Sequence, residues 1–254
     1  MEQCISDMRK WLRSNLLKLN EDKTEIMIVG QPHNIRKLGN VCLTIGDAII
    51  EPSSSVRNIG AVIDSQMQML EQVNSICRSC YSSLYSISRV RKYLTTEATQ
   101  TLVHAFISCR LDNFNSLLSG VPQYMLAKLQ LVQNNAARII VRKRKSDHIS
   151  LTLKELHWLP IEARVEFKIL LLTFKALNGT APLYLSNLVK IKENACVLLS
   201  GSEQYLEVPP TRLTSIGDRA FAAIAPRLWN RIPITIRNSA NVNIFKRAVK
   251  TPSF

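Results

Sequence analysis

Residues 70–94 read LEQVNSICRSCYSSLYSISRVRKYL, and their spacing decides the fold class. The apolar positions Val73, Ile76, Cys80, Leu84, Ile87, Val90 and Leu94 step by three and four, which is the stripe of one long helix of about six turns. Thr95 or Thr96 follows as a candidate N-cap, with Glu97 placed favourably in the first turn of the next helix. That helix is expected to turn Ala98, Leu102, Phe106 and Cys109 inward. Gly120 and Pro122 break the pattern, and Pro122 suits a first helical position. Met125, Leu129, Val132, Ala136 and Ile140 carry a third helix into the basic run Arg142-Lys143-Arg144-Lys145. Pro160 opens a fourth, through Val165, Ile169, Leu172 and Phe174, which Asn178-Gly179 closes. Beyond Lys192 the periodicity fades, leaving a strand over Tyr205 to Val208 and a last helix over Val242 to Lys250.

Upstream of residue 66 the chemistry differs. Residues 2–18 form an amphipathic helical pattern through Ile5, Met8, Trp11, Leu12 and Leu16. Asn20-Glu21-Asp22 turns the chain, and Thr24 to Val29 is a β-branched run closed by Gly30. Val41 to Ile45 and Ala48 to Ile50 flank the hairpin pair Gly46-Asp47, and Ile59 to Ile63 is a further strand candidate. The expected fold is therefore α+β and predominantly α-helical. A small N-terminal sheet over residues 1–65 precedes a helical region over 66–148 and a mixed C-terminal region over 149–254.

The chain of 254 residues carries 33 basic against 19 acidic side chains. Residues 1–127 hold 13 basic and 11 acidic, a net of +2, whereas residues 128–254 hold 20 and 8, a net of +12. So uneven a distribution favours a polyanionic partner, nucleic acid before a membrane surface. No apolar run approaches the roughly 20 residues a membrane helix needs. The opening residues lack the charged and apolar regions of a secretory signal. Six cysteines in a chain of this length do not make a disulfide scaffold, so an intracellular setting, cytoplasmic or nuclear, is expected.

Little catalytic chemistry is visible. Two-metal nucleotidyl transfer needs clustered carboxylates, but the seven aspartates stand at 7, 22, 47, 64, 112, 147 and 218, with no two adjacent. Cys77-x-x-Cys80 is half a zinc set inside a helical pattern, without a second pair. His157-Trp158-Leu159-Pro160 reads as a packed corner between helices. No P-loop and no Gly-x-Gly-x-x-Gly occurs, and no small-molecule substrate is evident. The basic residues are more informative. Arg89, Arg91 and Lys92 end one helix; Arg138 and the Arg142, Lys143, Arg144, Lys145 run end another. These eight are the candidate phosphate contacts.

In combination these stretches resemble a known family. Trp11-Leu12-x-x-Asn15-x-Leu17-Lys18-Leu19-Asn20-x-Asp22-Lys23-Thr24-Glu25-x-Met27 is similar to the helix-turn-strand after the catalytic aspartates of reverse transcriptases from LINE-type, non-LTR retrotransposons. Asn58-Ile59-Gly60-x-x-Ile63-Asp64 resembles that family's primer-grip segment. Ile76-Cys77-Arg78-x-Cys80, Ile87-x-Arg89-x-Arg91-Lys92-Tyr93-Leu94 and Asn115-Ser116-Leu117-Leu118 look like its helical thumb. Leu156-His157-Trp158-Leu159-Pro160-Ile161 and Phe174-Lys175-Ala176-Leu177-Asn178-Gly179 continue it, and Ala225-Pro226-Arg227-x-Trp229-Asn230 with Phe245-Lys246 resembles its C-terminal end. The resemblance implies an RNA-directed DNA polymerase origin, with the Mg2+-binding Tyr-x-Asp-Asp element expected before residue 1 and absent here. It also implies that Lys23 matches a lysine that assists the pyrophosphate leaving group, a role with no reaction to serve without those aspartates. The expectation is a truncated, non-catalytic product without a cofactor that binds RNA or DNA non-specifically. The alternative is an inert or protein-interaction remnant. A remoter one, on a resemblance of Cys77 to Gly120, is the N-terminal region of an AlkB-type dioxygenase with a tRNA methyltransferase. That chemistry wants His-x-Asp, and none of His33, His104, His148 or His157 is followed two places later by Asp.

Overall fold

A computed structural model describes residues 2–20, 23–39, 41–45, 48–192, 205–213 and 216–250. The fold is α+β and predominantly helical, with two small antiparallel sheets of two strands each among the described residues. Two compact units divide the chain, residues 1–72 and 73–254. The sequence draws its boundaries at 65 and 148 instead.

In the first unit, α1 (Glu2–Ser14) is followed by α2 (Pro32–Lys37). The first hairpin pairs β1 (Leu43–Ile45) with β2 (Ala48–Ile50), Ile45 opposite Ala48. The turn expected at Gly46-Asp47 lies outside the described residues. Leu43 and Ile45 are buried while Thr44 between them is exposed, the alternation of a half-buried strand. The second hairpin, β3 (Ser55–Asn58) with β4 (Ala61–Asp64), corrects the strand expected over Ile59 to Ile63. Ile59 and Gly60 are its turn, with φ of 49° and 89°. Left-handed backbone at both positions matches the twist of the flanking strands, and Ile59, 83% exposed, pays for it with a strained β-branched conformation.

Two other expectations here change. The opening helix stops at Ser14, and Leu16 (φ 58°) lies beyond it. Thr24 to Val29 is not a strand: Ile26 forms one isolated bridge to Pro52, accepting a bond from Ser53 N at 2.8 Å. Pro52 has no N–H with which to extend a ladder. The turn expected at Asn20-Glu21-Asp22 falls partly outside the described residues. At the end of the unit, the Asp64 carboxylate accepts bonds from Met69 N (2.7 Å) and Gln68 N (2.9 Å), and Gln72 Oε1 accepts one from Val62 N (2.8 Å). These bonds tie β4 to residues 68–72 within the first unit.

The next helix is α3 (Leu70–Val90), which buries Val73, Ile76, Cys80, Leu84 and Ile87 as the spacing predicts. Its last predicted positions differ. Val90 is 45% exposed, and the inward place one turn after Ile87 is taken by Arg91, 8% exposed. Thr95 caps α4 (Thr96–Val103), its hydroxyl accepting a bond from Ala98 N. A π turn over His104–Ser108 leads into α5 (Cys109–Asp112). The inward face here is Thr99, Val103, Ile107 and Leu111, not Ala98, Leu102, Phe106 and Cys109. Thr99 reads as polar, but its hydroxyl bonds to Thr95 O at 2.7 Å, so it can be buried without an orphaned group.

Then come α6 (Gln123–Val141), α7 (Ser150–Glu155), α8 (Ile161–Leu177), α9 (Leu183–Ser186), α10 (Phe221–Arg231), α11 (Ile234–Arg237) and α12 (Val242–Lys250). Pro122 is the N-cap of α6 rather than its first residue, and all five predicted core positions of α6 are buried. Of the predicted stripe in α8, Leu172 is half-buried and Thr173 is fully buried in its place. The strand expected over Tyr205 to Val208 is a single bridge between Leu206 and Ile191, held also by Asn230, which bonds Leu206 N and O at 2.9 Å each. The helices α6, α10 and α12 pack on α8, which is why residues 73–254 form one unit. At its centre Phe174 stacks on Phe245 with centroids 4.4 Å apart, and Trp229 lies 5.9 Å from Phe245.

Phe245 is fully buried in this aromatic cluster, so Phe245→Ala should destabilise the chain by about 3–5 kcal/mol, read as a lower urea midpoint at unchanged slope. Conversely, Ile59→Asn should stabilise the first unit by about 1 kcal/mol, because Asn tolerates the left-handed backbone that strains Ile.

Candidate nucleic-acid interface

The two predicted basic runs meet in space through one buried side chain. Arg91, just past the end of α3, donates from Nε to Ile139 O and from Nη2 to Ile140 O, both at 2.8 Å. Its Nη1 donates to Leu94 O at 2.7 Å. The last carbonyls of a helix have no partner inside it, and Arg91 satisfies those of α6 from a neighbouring helix end. The join is reciprocal: Arg142, the left-handed C-cap of α6 (φ 55°), donates from Nη2 to Arg91 O at 3.4 Å. Burial, and then the charge of Arg142, hold the Arg91 guanidinium below its ordinary pKa. The group stays protonated regardless.

This corrects part of the candidate list. Arg91 is a structural cap whose donors face carbonyls, so it does not offer them to a phosphate. Arg138 is half-buried, its Nη2 directed to Asp147 O at 3.3 Å and its Nε buried without a hydrogen-bond partner. Lys143 is exposed but donates to Thr152 Oγ1 at 2.7 Å. Asp147 shapes the run by accepting a bond from Arg144 N at 2.8 Å. That leaves Arg89, Lys92, Arg144 and Lys145 as exposed cationic heads around the joined ends of α3 and α6, with Arg142 exposed beside them although its Nη2 reaches Arg91 O. Cations there also face the negative ends of two helix dipoles. Between residues 73 and 145 the sequence holds eleven basic side chains against only Glu97 and Asp112, and Asp112 is paired with Arg164 at 3.0 Å.

Charge alone missed the aromatic part of this surface. The Arg89 guanidinium lies 6.0 Å from the Tyr85 ring centroid, and Lys92 Nζ lies 4.7 Å from that of Tyr93. Tyr85 is 65% and Tyr93 is 78% exposed. The available signal was tyrosines at helical spacing in a stretch with no acidic residue between Glu71 and Glu97.

The other sequence candidates resolve locally. Lys23 is exposed in the first unit, its backbone N–H bonded to Asn20 Oδ1 at 3.2 Å. Burial raises the thiol pKa of Cys77 and pushes that of Cys80 up to about 11, so neither is a thiolate near neutrality. Among the described residues no group of three or more His, Cys, Asp or Glu could hold a metal ion, and no helix is long and apolar enough to cross a membrane. At the His157 corner, Trp158 and Leu159 are buried, and Leu159 O accepts bonds from Gln133 Nε2 (2.8 Å) and Arg164 Nε (2.9 Å). His104 meets the Trp158 ring edge-on at 5.6 Å. The corner packs, as its composition suggests.

No protein-family model, no curated protein and no solved structure matches the chain.

Because Arg91 caps α6, Arg91→Met should lower stability by about 1–3 kcal/mol through the α6 carbonyls it leaves unpaired. Arg89→Ala and Lys92→Ala, both at exposed positions, should stay within about 0.5 kcal/mol of the parent in the same urea titration.

Proposed function

We propose that the chain is a nucleic-acid-binding protein related to the post-catalytic palm, thumb and C-terminal region of LINE-type reverse transcriptases. It holds RNA or DNA by its phosphates and carries out no polymerisation on its own. The observation that supports binding most strongly is the convergence of two basic runs at the joined ends of α3 and α6, where Arg89, Lys92, Arg142, Arg144 and Lys145 remain exposed. The family relation rests on the motifs quoted above. The absence of polymerase activity rests on the sequence, whose aspartates do not pair to hold two metals. Binding of this kind implies a site of action in the cytoplasm or nucleus.

Phosphate contacts release counterions, so log K should fall linearly with log salt, by about 0.9 per phosphate neutralised on B-form DNA and about 0.7 on a single strand. Discrimination among sequences should be weak, since phosphates carry no base information. Replacing Arg89, Lys92, Arg144 and Lys145 together by Ala should reduce the slope by about 3 with the helical circular dichroism unchanged. Fluorescence anisotropy over a salt series reads both quantities. Binding that is absent or indifferent to salt would overturn the proposal. Primer extension with magnesium or manganese should give no product.

A further inference from the structure

The outer face of α3 is more than a charged surface. Arg78, Tyr81, Tyr85 and Arg89 recur at three and four along the helix and are all exposed, while Val73, Ile76, Cys80, Leu84 and Ile87 face the core. On this line the two rings, Tyr81 and Tyr85, lie between two cations, Arg78 and Arg89, and Lys92 with Tyr93 extends it past the helix end. Only small residues, Ser82 and Ser83, stand outside the core between Tyr81 and Tyr85, and the cations over Tyr85 and Tyr93, Arg89 and Lys92, are long flexible side chains. Ser86 Oγ bonds to Ser82 O at 3.2 Å and Ser88 Oγ to Tyr85 O at 2.7 Å, so both hydroxyls are turned back onto the helix.

Resting on the phosphate-binding reading above, we propose that this face, from Arg78 to Tyr93, is a stacking platform for single-stranded RNA or DNA, which the chain prefers to duplex. Tyr81 and Tyr85 stand one turn apart, about 6 Å along the axis. Bases in one strand of a duplex repeat every 3.4 Å or so, stacked on each other with their ring faces covered. Rings set at the wider spacing meet only bases released from pairing. Exposed tyrosine on a helix could equally cover a protein partner, but the flanking side chains are Arg78, Arg89 and Lys92, with no acidic residue between Glu71 and Glu97. That charge matches a polyanion. Base–aromatic stacking tolerates any sequence, because every base has a π-face, and the neighbouring cations hold the phosphates between stacked bases.

The test compares labelled oligo(U), oligo(dT) and a blunt duplex of equal length by anisotropy, using the full chain and the paired variants Tyr85→Ala with Tyr93→Ala and Tyr85→Phe with Tyr93→Phe. The parent should bind both single strands more tightly than duplex. The alanine pair should weaken single-strand binding about tenfold for each ring removed, leave duplex binding nearly unchanged, and keep the salt slope. The phenylalanine pair should bind like the parent. Single-strand affinity untouched by the alanine pair, or single-strand and duplex affinity lost equally, would overturn the platform while leaving the phosphate-binding reading in place. A parent chain that binds none of the three probes would overturn both.

Discussion

Arg91 is buried at the meeting of two helix ends, and the arrangement of the basic surface depends on it. A guanidinium removed from water is costly unless its donors find acceptors. Here those acceptors are the carbonyls of Ile139 and Ile140, which α6 itself cannot satisfy, and that of Leu94. One side chain thereby answers two demands: its own desolvation and the unfinished hydrogen bonding of α6. The consequence is positional. Arg89 and Lys92 on one side, and Arg142, Arg144 and Lys145 on the other, belong to chain segments about fifty residues apart that this bond set holds together.

Like charges gathered in this way repel, and a folded protein tolerates that where the loss is offset. Two offsets are present. Both segments lie at helix C-termini, where the backbone dipoles favour cations. Two of the cations also rest near tyrosine rings, Arg89 over Tyr85 and Lys92 over Tyr93, a contact worth about 0.5–1 kcal/mol at an exposed site. Elsewhere the same residue type is internal: Arg110 bonds Ser83 Oγ at 2.8 Å, Arg164 pairs with Asp112, and Arg227 with Asp218 at 2.8 Å. Hydrogen bonds from Arg227 and then Thr211 hold the Asp218 carboxyl below its ordinary pKa. That tie is present above the usual carboxylate range and is lost as pH falls through the depressed value.

Helical periodicity carried most of the second unit in the sequence. The stripes of α3 and α6, the Thr95 cap and the last helix, Val242–Lys250, follow from apolar spacing and capping chemistry. Failures occurred where a residue's type opposes its place. Arg91 reads as a surface cation and is a cap. Thr99 reads as polar and is core. Ile59 reads as strand and occupies a left-handed turn. The helix Phe221–Arg231 has Pro226 in its interior and small alanines on its inner side, so no stripe announces it. For the interface, the charges were legible, but their convergence was not. It depends on hydrogen bonds across almost fifty positions, and no local pattern encodes those.

The central claim is that nucleic acid lies across the joined ends of α3 and α6. Photocrosslinking of 4-thiouridine-containing RNA to the intact chain, followed by mass spectrometry of the adducted peptides, tests it most directly. The account predicts adducts concentrated on Tyr85, Tyr93 and the peptides containing Arg89, Lys92 and residues 142–145. Adducts confined to residues 1–72, or scattered over the surface without enrichment at these positions, would contradict it.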